Sequence, residues 1–441
     1  MTTRKRAKVA VYLMCGCAMP YLVARTVFFY IIYSYPDVLF TTAELLMTIP
    51  GLVGLFVSFA VGPLALKINK KYLLLFCAVC STLYFTIFSF VGSNGPFSLL
   101  LIGAAIVGIT QGAALTLTDS ILGEFIEPEK LAGALATSGA IVSSGNVIMN
   151  LIGDAIIAFN GEANWPEAFL PGFLTVPCAI VFFILMPMRP DTAGEGSIAG
   201  EGSIVDESSI ADEGSIADES GIAGVQAKSG DSGASALMGG IPPKVFLILG
   251  VGILFSLGLT AYMLNISIDA ISEFTLASPF GVYIADFIFI FTGIILGFTY
   301  AIWSKPLKNW IPVFGYGCAT VALLILMNFT ENIIFLFIAA VLISTGANAT
   351  TPYMNATMMK LTPPRLIPVV MSLRTGVTNV TLFLAPTILG FLGGLYRPGL
   401  SGHFMVAAIA VAICTVASFS LFVFAKAPKD TPPPESLTPP R

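Results

Sequence analysis

Long runs of apolar residues follow one another through most of this chain of 441 residues. A run of about 20 such residues is long enough to cross the hydrocarbon of a bilayer as a helix. Twelve runs meet this requirement: 9–33, 41–65, 72–92, 97–121, 131–158 and 168–188 before a polar segment, and 244–266, 279–302, 309–329, 332–356, 367–395 and 402–425 after it. A backbone in lipid must satisfy its hydrogen bonds internally. We therefore predict an all-α integral membrane protein with twelve transmembrane helices, called spans 1 to 12 below.

Composition excludes a soluble protein and most kinds of catalysis. Charged residues make up 10% of the chain, against about 25% in a typical soluble domain. The seven cysteines all fall inside apolar runs, and His403 is the single histidine. Neither Cys15-x-Cys17 nor Cys77-x-x-Cys80 has a second pair of ligands nearby, as a zinc site would require. We predict no enzymatic activity, no metal site and no cofactor.

Lysine and arginine are distributed very unevenly between the two ends of the spans. With both termini on one side, eighteen of these residues fall on that side and only Arg397 falls on the other. Positive residues accumulate on the cytoplasmic side of membrane proteins, so both termini are predicted to be cytoplasmic. The end of each span on this basic side is called its inner end below, and the opposite end its outer end.

The polar segment 190–242 contains five consecutive hexads, EGSIAG, EGSIVD, ESSIAD, EGSIAD and ESGIAG, from Glu195 to Gly224. One Ile per hexad offers too little apolar surface to offset the entropy of ordering, so a disordered linker is predicted. Ten carboxylates against Lys228 give residues 191–231 a charge of −9, and the whole chain carries −4, so the rest carries +5. The linker is either plainly solvated or makes a regulatory contact with Lys67, Lys70 and Lys71.

The two hydrophobic parts of the chain repeat one another. A constant offset of 235 residues relates Gly62 to Gly297, Lys70 to Lys305, Thr116 to Thr351, Pro128 to Pro363 and Lys130 to Arg365. The same number of spans in the same orientation makes a parallel repeat. The predicted domains are an N-terminal six-helix bundle (1–189), the acidic linker (190–242), a C-terminal six-helix bundle (243–427) and a Pro-rich cytoplasmic tail (428–441).

The loop between spans 2 and 3, Gly62-Pro-Leu-Ala-Leu-Lys-Ile-Asn-Lys-Lys71, resembles the loop signature of the major facilitator superfamily, G-x-x-x-D-[RK]-x-G-[RK]-[RK]. Leu66 replaces the family's Asp, and Asn69 replaces its Gly, which Asn can do because it also reaches left-handed backbone conformations. The resemblance implies the fold of this family and transport by alternating access. Other stretches also look alike: residues 124–130 after span 4 and 165–169 at the entry to span 6.

Two arginines lie within the spans, where a charge needs a partner or a wet cavity. Arg25 is in the outer half of span 1 behind Tyr21, and the resemblance implies that spans 1, 4, 7 and 10 line the central cavity. Arg25 either grips an anionic solute bidentately or pairs with Glu44 or Asp286. Arg374 in span 11 either contacts the solute or bridges to Asp119 as part of a gate.

Further polar residues complete the predicted site. Gln111, Asn348 and Tyr353 on spans 4 and 10 are candidates for hydrogen bonds to a solute, although bonds between helices explain them equally well. Asp286 is the candidate for proton coupling. The predicted gating residues between the halves are Gly62, Lys67, Lys70, Lys71, Asp119 and Arg374. Gly112, Gly139, Gly145 and Gly153 are predicted to permit close helix packing.

The predicted function is secondary active transport of a small organic anion across the plasma membrane, by anion exchange or with protons. Proton-driven efflux of drugs or amphiphiles is one alternative, although Gly108 and Met149-Asn150 replace the Arg and Gly-Pro typical of drug antiporters. A non-transporting membrane sensor or scaffold is another. The predicted partners are a small solute, the bilayer and a co-transported proton or counter-anion, with no nucleic acid; the chain is predicted to be a monomer.

Deleting residues 195–224 tests the linker prediction. We expect the shortened chain to keep its melting temperature and its transport rate, because a solvated segment contributes no packing. Thermal unfolding in detergent and uptake into proteoliposomes are the two measurements. A changed rate at an unchanged melting temperature would instead indicate a regulatory contact with the basic inner face.

Overall fold

The computed structural model describes residues 3–17, 27–43, 45–92, 95–187, 240–267, 279–328, 332–396 and 400–424. All regular structure in these ranges is helical, without a β-strand. The helices before and after the polar segment form one compact unit, Met1–Pro187 with Ile241–Arg441. The predicted all-α membrane fold is confirmed. Predictions that concern Tyr21, Arg25, Glu44, Arg397, the hexads and the Pro-rich tail fall outside the described residues.

The helices before the linker follow the predicted spans closely. Their bounds are Thr3–Cys17 and Phe28–Ser34 for span 1, Phe40–Ala43 and Leu45–Lys67 for span 2, Lys70–Val91 for span 3, Phe97–Phe125 for span 4, Pro128–Asn160 for span 5, and Glu162–Leu174 followed by Thr175–Leu185 for span 6. The first part of span 6 is a 3₁₀ helix that contains Pro166 and Pro171. The helical segment of span 6 therefore begins several residues earlier than predicted.

The helices after the linker repeat this order. Their bounds are Pro243–Ser267 for span 7, Pro279–Leu307 for span 8, Ile311–Asn328 for span 9, Ile333–Leu361 for span 10, Ile367–Tyr396 for span 11 and Leu400–Ser418 for span 12. Spans 4 and 10, which the duplication makes equivalent, are both 29 residues long. Span 11 continues as a helix through Pro386.

Ten segments of the described chain are long and apolar enough to cross a membrane. One of them, Ile284–Asn328, is 45 residues long and holds both span 8 and span 9. Span 1 is described in two separate pieces and is not among the ten. These segments therefore account for spans 2 to 12 of the twelve predicted spans.

The turn between spans 2 and 3 differs from the sequence expectation at Asn69. Its φ angle is −59°, so the left-handed conformation is not used. The Asn69 side chain instead accepts a hydrogen bond of 3.0 Å from the backbone N–H of Lys71. Asn is a favoured N-cap because its side-chain oxygen satisfies an N–H group that has no partner within the helix. Asn69 thus replaces the family's glycine by capping span 3.

An aromatic cluster fills the outer end of the first half. Tyr84, Phe88 and Phe169 pack with ring centroids 4.7–5.7 Å apart, within the range of favourable ring pairs. Trp165 is fully buried, and its indole N–H donates a 2.9 Å hydrogen bond to the Ser34 hydroxyl. The entry to span 6 is thereby fixed against the outer end of span 1.

The two halves meet through spans 2 and 11 on one side and spans 5 and 8 on the other. A Cβ atom at Gly62 would lie 2.6 Å from Cβ of Ser372, and one at Gly297 would lie 2.6 Å from Cβ of Ala140. Real Cβ atoms essentially never come this close. The two glycines related by the duplication therefore occupy equivalent contacts between the halves.

Within the first half, glycines also allow close approach of helix backbones. A Cβ at Gly112 in span 4 would overlap the Gly54 carbonyl oxygen of span 2, and one at Gly145 would overlap that of Gly16 in span 1. A Cβ at Gly153 would lie 3.3 Å from Cβ of Ala168 in span 6. Gly139 has open space around it, so this residue does not take part in close packing.

Replacing Gly112 by Ala should lower stability by about 1–3 kcal/mol, the usual cost of overpacking a filled core. Gly139→Ala is the matched control, and we expect it to leave stability unchanged or slightly raised because Ala is the better helix former. Thermal unfolding of both variants in the same detergent measures the difference. Equal melting temperatures would contradict the packing described for spans 2 and 4.

Candidate gate and solute cavity

A seam of polar side chains joins spans 2, 4 and 11. The Asn379 amide donates a 2.9 Å hydrogen bond to the Ser58 hydroxyl, and the Ser372 hydroxyl donates to the Ser58 carbonyl. The Thr116 hydroxyl donates to Thr375 at 2.9 Å. All five side chains are buried. These residues, here called the seam, join the two halves by hydrogen bonds in a region without bulk water.

The seam lies toward the inner ends of its helices. Asn379 is the seam residue of span 11 farthest from the inner end of that helix, Ile367, and the rise of a helix puts it about 18 Å from there. Gly62, whose close contact with Ser372 makes the seam possible, lies near the inner end of span 2. The hydrogen bonds described here therefore hold the inner ends of the two halves together.

Asp119 in span 4 is 8% exposed and accepts a 3.0 Å hydrogen bond from the amide of Asn355 in span 10. This bond also joins the two halves. Arg374 lies within electrostatic range of Asp119, but the two do not form one of the salt bridges within 4 Å among described side chains. Asn355 thus takes the position that the sequence analysis gave to Arg374 as a direct partner of Asp119.

The three lysines of the loop signature differ in their surroundings. Lys70 donates a 2.7 Å hydrogen bond to Ser120 and forms an ion pair with Glu124 of span 4. Lys71 is buried, donates to the Met186 carbonyl at 2.9 Å and lies 4.3 Å from the ring centre of Phe183. Lys67 is exposed. Lys70 and Lys71 therefore connect helices within the first half.

A surface cluster at the inner side connects the start of span 1 with the loop after span 4. Glu127 accepts hydrogen bonds from Lys130 at 2.7 Å and from Arg4 at 3.0 Å. The hydrogen bond and charge of Lys130, followed by those of Arg4, hold the pKa of the Glu127 carboxyl below its ordinary value. Because all three side chains are exposed, this cluster contributes little to stability.

A cavity of about 90 Å³ lies in the second half between spans 7, 9, 10 and 11. Arg374, Tyr316, Thr350, Thr351, Ser256 and Thr378 supply its polar groups, and the remaining wall is formed by Ile248, Leu249, Gly252, Phe255, Leu259, Met354, Met358 and Val377. Pockets for drug-sized ligands hold about 300–1,000 Å³. In this conformation the cavity is therefore large enough only for a small group.

Of the residues predicted to bind solute, Arg374 lines this cavity, whereas Gln111, Asn348 and Tyr353 do not. Asn348 donates a 2.9 Å hydrogen bond to Ser344 in its own helix. The Tyr353 hydroxyl donates to Asn309 at 3.4 Å. Gln111 is half-buried in span 4. Asp286 lies in the outer part of span 8, within electrostatic range of Tyr262 in span 7.

Sequence reasoning overlooked the uncharged partners in this region. Asn355, Asn379 and Ser58 are polar residues in apolar helices, and nothing in the sequence separates them from residues that bond to their own backbone. Tyr316 reaches the cavity from span 9, which was not among the cavity-lining spans. The sequence did offer one signal that was not used: Asn146, Asn150 and Asp154 are spaced four residues apart, which predicts a polar side on span 5.

The chain matches the family model described as Major Facilitator Superfamily over residues 13–230 and 248–440. Each matched segment contains one of the two hydrophobic parts of the chain, and the first also includes residues 190–230 of the polar segment.

Two relatives match shorter parts of the chain. The human "Solute carrier family 2, facilitated glucose transporter member 11" is 28% identical over 135 residues, which is 30% of this chain and 27% of the relative. "Purine ribonucleoside efflux pump NepI" of Escherichia coli K12 is 29% identical over 152 residues, 34% of this chain and 36% of the relative. The matches thus span about a third of these relatives or less.

Solved structures resemble the whole chain. FucP, a Major Facilitator Superfamily transporter solved in the outward conformation, has a TM-score of 0.70 at 12% identity and covers 95% of this chain and 99% of its own. The human organic anion transporter MFSD10 has a TM-score of 0.63 at 13% identity, with 95% and 100% covered. At 12–13% identity the similarity shows a shared fold and nothing about the solute.

Asn379→Ala removes one hydrogen bond of the seam. Such bonds between membrane helices contribute about 0.6 kcal/mol on average, so the population with separated inner ends should rise about threefold. Spin labels at Lys67→Cys and Arg365→Cys, both exposed, report the distance between the halves. The control is Thr345→Ala, which removes a bond within one helix. Identical distance distributions for both variants would contradict a gating role for the seam.

Proposed function

This chain belongs to the Major Facilitator Superfamily, and we propose that the solute it transports is a small organic anion with an apolar body. It is a multi-pass membrane transporter and not an enzyme. The chemical class of the solute, the coupling mode and the membrane in which the protein lies are proposals. We further propose that the protein is a monomer in the cell membrane. Its termini are cytoplasmic in this proposal, because Lys and Arg are concentrated on their side of the spans.

The proposal that the solute is an anion rests on the position of Arg374. This arginine lines the cavity beside Tyr316 and Thr350, and Asp119 is occupied by Asn355. A charge inside the membrane is costly, and an intramembrane arginine is therefore a functional-site hypothesis by default. A guanidinium presents a rigid fork of donors that matches a carboxylate or sulfonate. An anionic solute would neutralise Arg374 during passage.

The rest of the cavity wall favours an apolar body on that anion. Phe255, Leu249, Leu259, Met354 and Met358 supply most of the lining. Each buried CH₂ group of a solute would gain about 0.8 kcal/mol. One positive side chain among apolar ones matches a monoanion better than a dianion. MFSD10, whose fold resembles that of this chain, is described as an organic anion transporter. The proposal is consistent with this description but does not depend on it.

Transport follows from breaking and making the contacts between the halves. In the described conformation the seam and the Asp119–Asn355 bond close the inner ends. Rocking of the halves would break these bonds and expose the cavity to the inner side, as alternating access requires. Gly62 and Gly297 keep the sliding surfaces close. Whether a counter-anion or a proton completes the cycle depends on a second site.

Efflux of apolar cations is the second candidate, favoured by the methionines and aromatic rings of the cavity. Where drug antiporters carry an arginine in span 4, this chain has Gly108, and a Cβ there would lie 2.7 Å from the Pro50 carbonyl oxygen. A long side chain at this position is incompatible with the packing of spans 2 and 4. Arg374 would also repel a cation in the cavity, so anion transport is the better proposal.

Binding of benzenesulfonate to the purified protein tests the proposal. This anion stays ionised over the whole accessible pH range and carries one apolar ring. Arg374→Gln should raise the Kd for benzenesulfonate by about 10- to 150-fold, since hydrogen bonds to charged groups contribute about 1.5–3 kcal/mol. Arg374→Lys keeps the charge and should lose less. Scintillation proximity or calorimetry gives the Kd.

Arg365→Gln is the matched control, because Arg365 is exposed at the inner start of span 11. It should bind benzenesulfonate as the unchanged protein does. Methanesulfonate, which lacks the ring, should bind more weakly, and benzyltrimethylammonium should not compete. Binding that survives Arg374→Gln unchanged, or stronger binding of the cation, would contradict the anion proposal.

A further inference from the structure

Span 5 carries a line of polar side chains that the transport cycle above does not use. Asn146, Asn150 and Asp154 recur at intervals of four residues, which places them one above the other on one side of the helix. Asn146 is only 7% exposed. The Oδ1 atoms of Asn146 and Asn150 are both buried without a hydrogen-bond partner. Buried polar atoms without partners are rare in native proteins, so a function is expected for them.

Asp154 is itself exposed and lies at the boundary between the exposed apolar side of span 5 and its buried side. The apolar side chains Ile152 and Phe159 of the same helix are exposed, Phe159 by 88%, as expected of a surface that faces lipid. At 100° per residue, Ile152 and Phe159 lie roughly 160° and 140° around the helix from Asp154. Ile157, by contrast, is buried and lies on the same side as the asparagines.

A cavity of about 330 Å³ lies at the outer end of span 5. Asp154, Ile157, Ala158 and Gly161 line it together with Tyr30 of span 1. A single water needs only about 10–15 Å³ of such space, so several waters fit beside the Asp154 carboxylate. Asn150 lies one helical turn deeper, and Asn146 two turns deeper.

We propose that Asp154 is the proton-binding site that couples transport to the proton gradient, with Asn150 as the acceptor for the protonated carboxyl. The inference rests on the proposed transport function. The carboxylate takes one proton from water in the outer cavity. The new O–H group then donates to Oδ1 of Asn150, whose Cβ lies about 5–6 Å from that of Asp154 in a helix. The proton returns to water when the site opens inward.

The surroundings of Asp154 suit a proton better than a metal ion. The described residues hold no group of three or more His, Cys, Asp or Glu side chains that could bind a metal. Among the side chains that the structure describes, the titratable groups on the elements packed against the outer part of span 5 are Tyr30, Tyr33, Glu167 and Asp286. None of these is a cation, and Arg25 of span 1 lies outside the described residues. A proton is thus the ion that can neutralise Asp154 in the described part of the chain.

Neutralisation of Asp154 would permit the outer end to close. Val27 and Ile31 of span 1 share one apolar cluster with Met149 and Ile157 of span 5. If this cluster tightens around the cavity, Asp154 loses water, and an ionised carboxylate opposes that step. Protonated Asp154 keeps a hydrogen bond to Asn150 without carrying charge. Asp286, by contrast, already has an interaction in this structure.

Infrared difference spectroscopy of the protein in lipid, on acidification and without solute, tests the protonation. We expect a carboxylic acid C=O band that is absent in Asp154→Asn. The band should move to higher frequency in Asn150→Leu, which removes the acceptor but keeps the size of the side chain. A band that persists in Asp154→Asn, or that disappears in Asp286→Asn instead, overturns the proposal.

Uptake of benzenesulfonate into proteoliposomes tests the coupling, because this solute does not titrate. The intact protein should transport faster at acidic outer pH, and Asp154→Asn should transport at a pH-independent rate while keeping exchange of labelled for unlabelled benzenesulfonate within about twofold. Asp37→Asn, an exposed outer carboxylate, should keep the pH dependence. A pH-independent rate in the intact protein overturns the coupling. If benzenesulfonate is not transported at all, the solute proposal fails, and the infrared result still decides the role of Asp154.

Discussion

The contact between Gly62 and Ser372 is the constraint on which the other contacts between spans 2 and 11 depend. It brings the two backbones close enough for Ser372 and Asn379 to reach Ser58. A larger side chain at Gly62 would separate these groups and leave them buried without partners, at a cost of about 1–3 kcal/mol each. Gly297 holds the equivalent contact on the other side of the molecule. The two halves thus touch at two small-residue contacts, which a rocking motion can slide without first emptying a core.

Buried charge divides into two kinds in this protein. Lys70 and Lys71 are satisfied inside the first half by Glu124, Ser120 and the Met186 carbonyl, so they fix the helices that they join. Asp119 is satisfied across the halves by a neutral amide, which breaks more easily than an ion pair would. Arg374 then keeps its guanidinium for the cavity. The distribution of partners, more than the presence of charge, separates the structural residues from the proposed transport residues.

The sequence analysis located Arg374 and Asp119 and gave a bridge between them as one of two alternative roles for Arg374. Charge and depth were visible in the sequence, whereas the neutral Asn355 was not distinguishable from other polar residues of span 10. The sequence analysis was right that Asn69 can replace glycine but wrong about its backbone conformation. Asn is favoured both at N-caps and in left-handed geometry, so the residue type alone does not separate the two. Gly139 was grouped with Gly112 and Gly145 although its surface is open. Small residues in apolar helices show that close packing is possible without showing where it occurs.

By itself the sequence determined the number of spans, the helical fold and the duplication, because the bilayer forces each apolar run of about 20 residues into a helix. It also predicted which ends of the spans are inner. The tertiary structure decided which polar residues meet: the seam, the Asn355 partner of Asp119, the Arg374 cavity and the polar side of span 5. These depend on helix rotation and separation, which differ by small energies of packing and interhelical hydrogen bonding, and such energies are set by contacts between residues far apart in the chain.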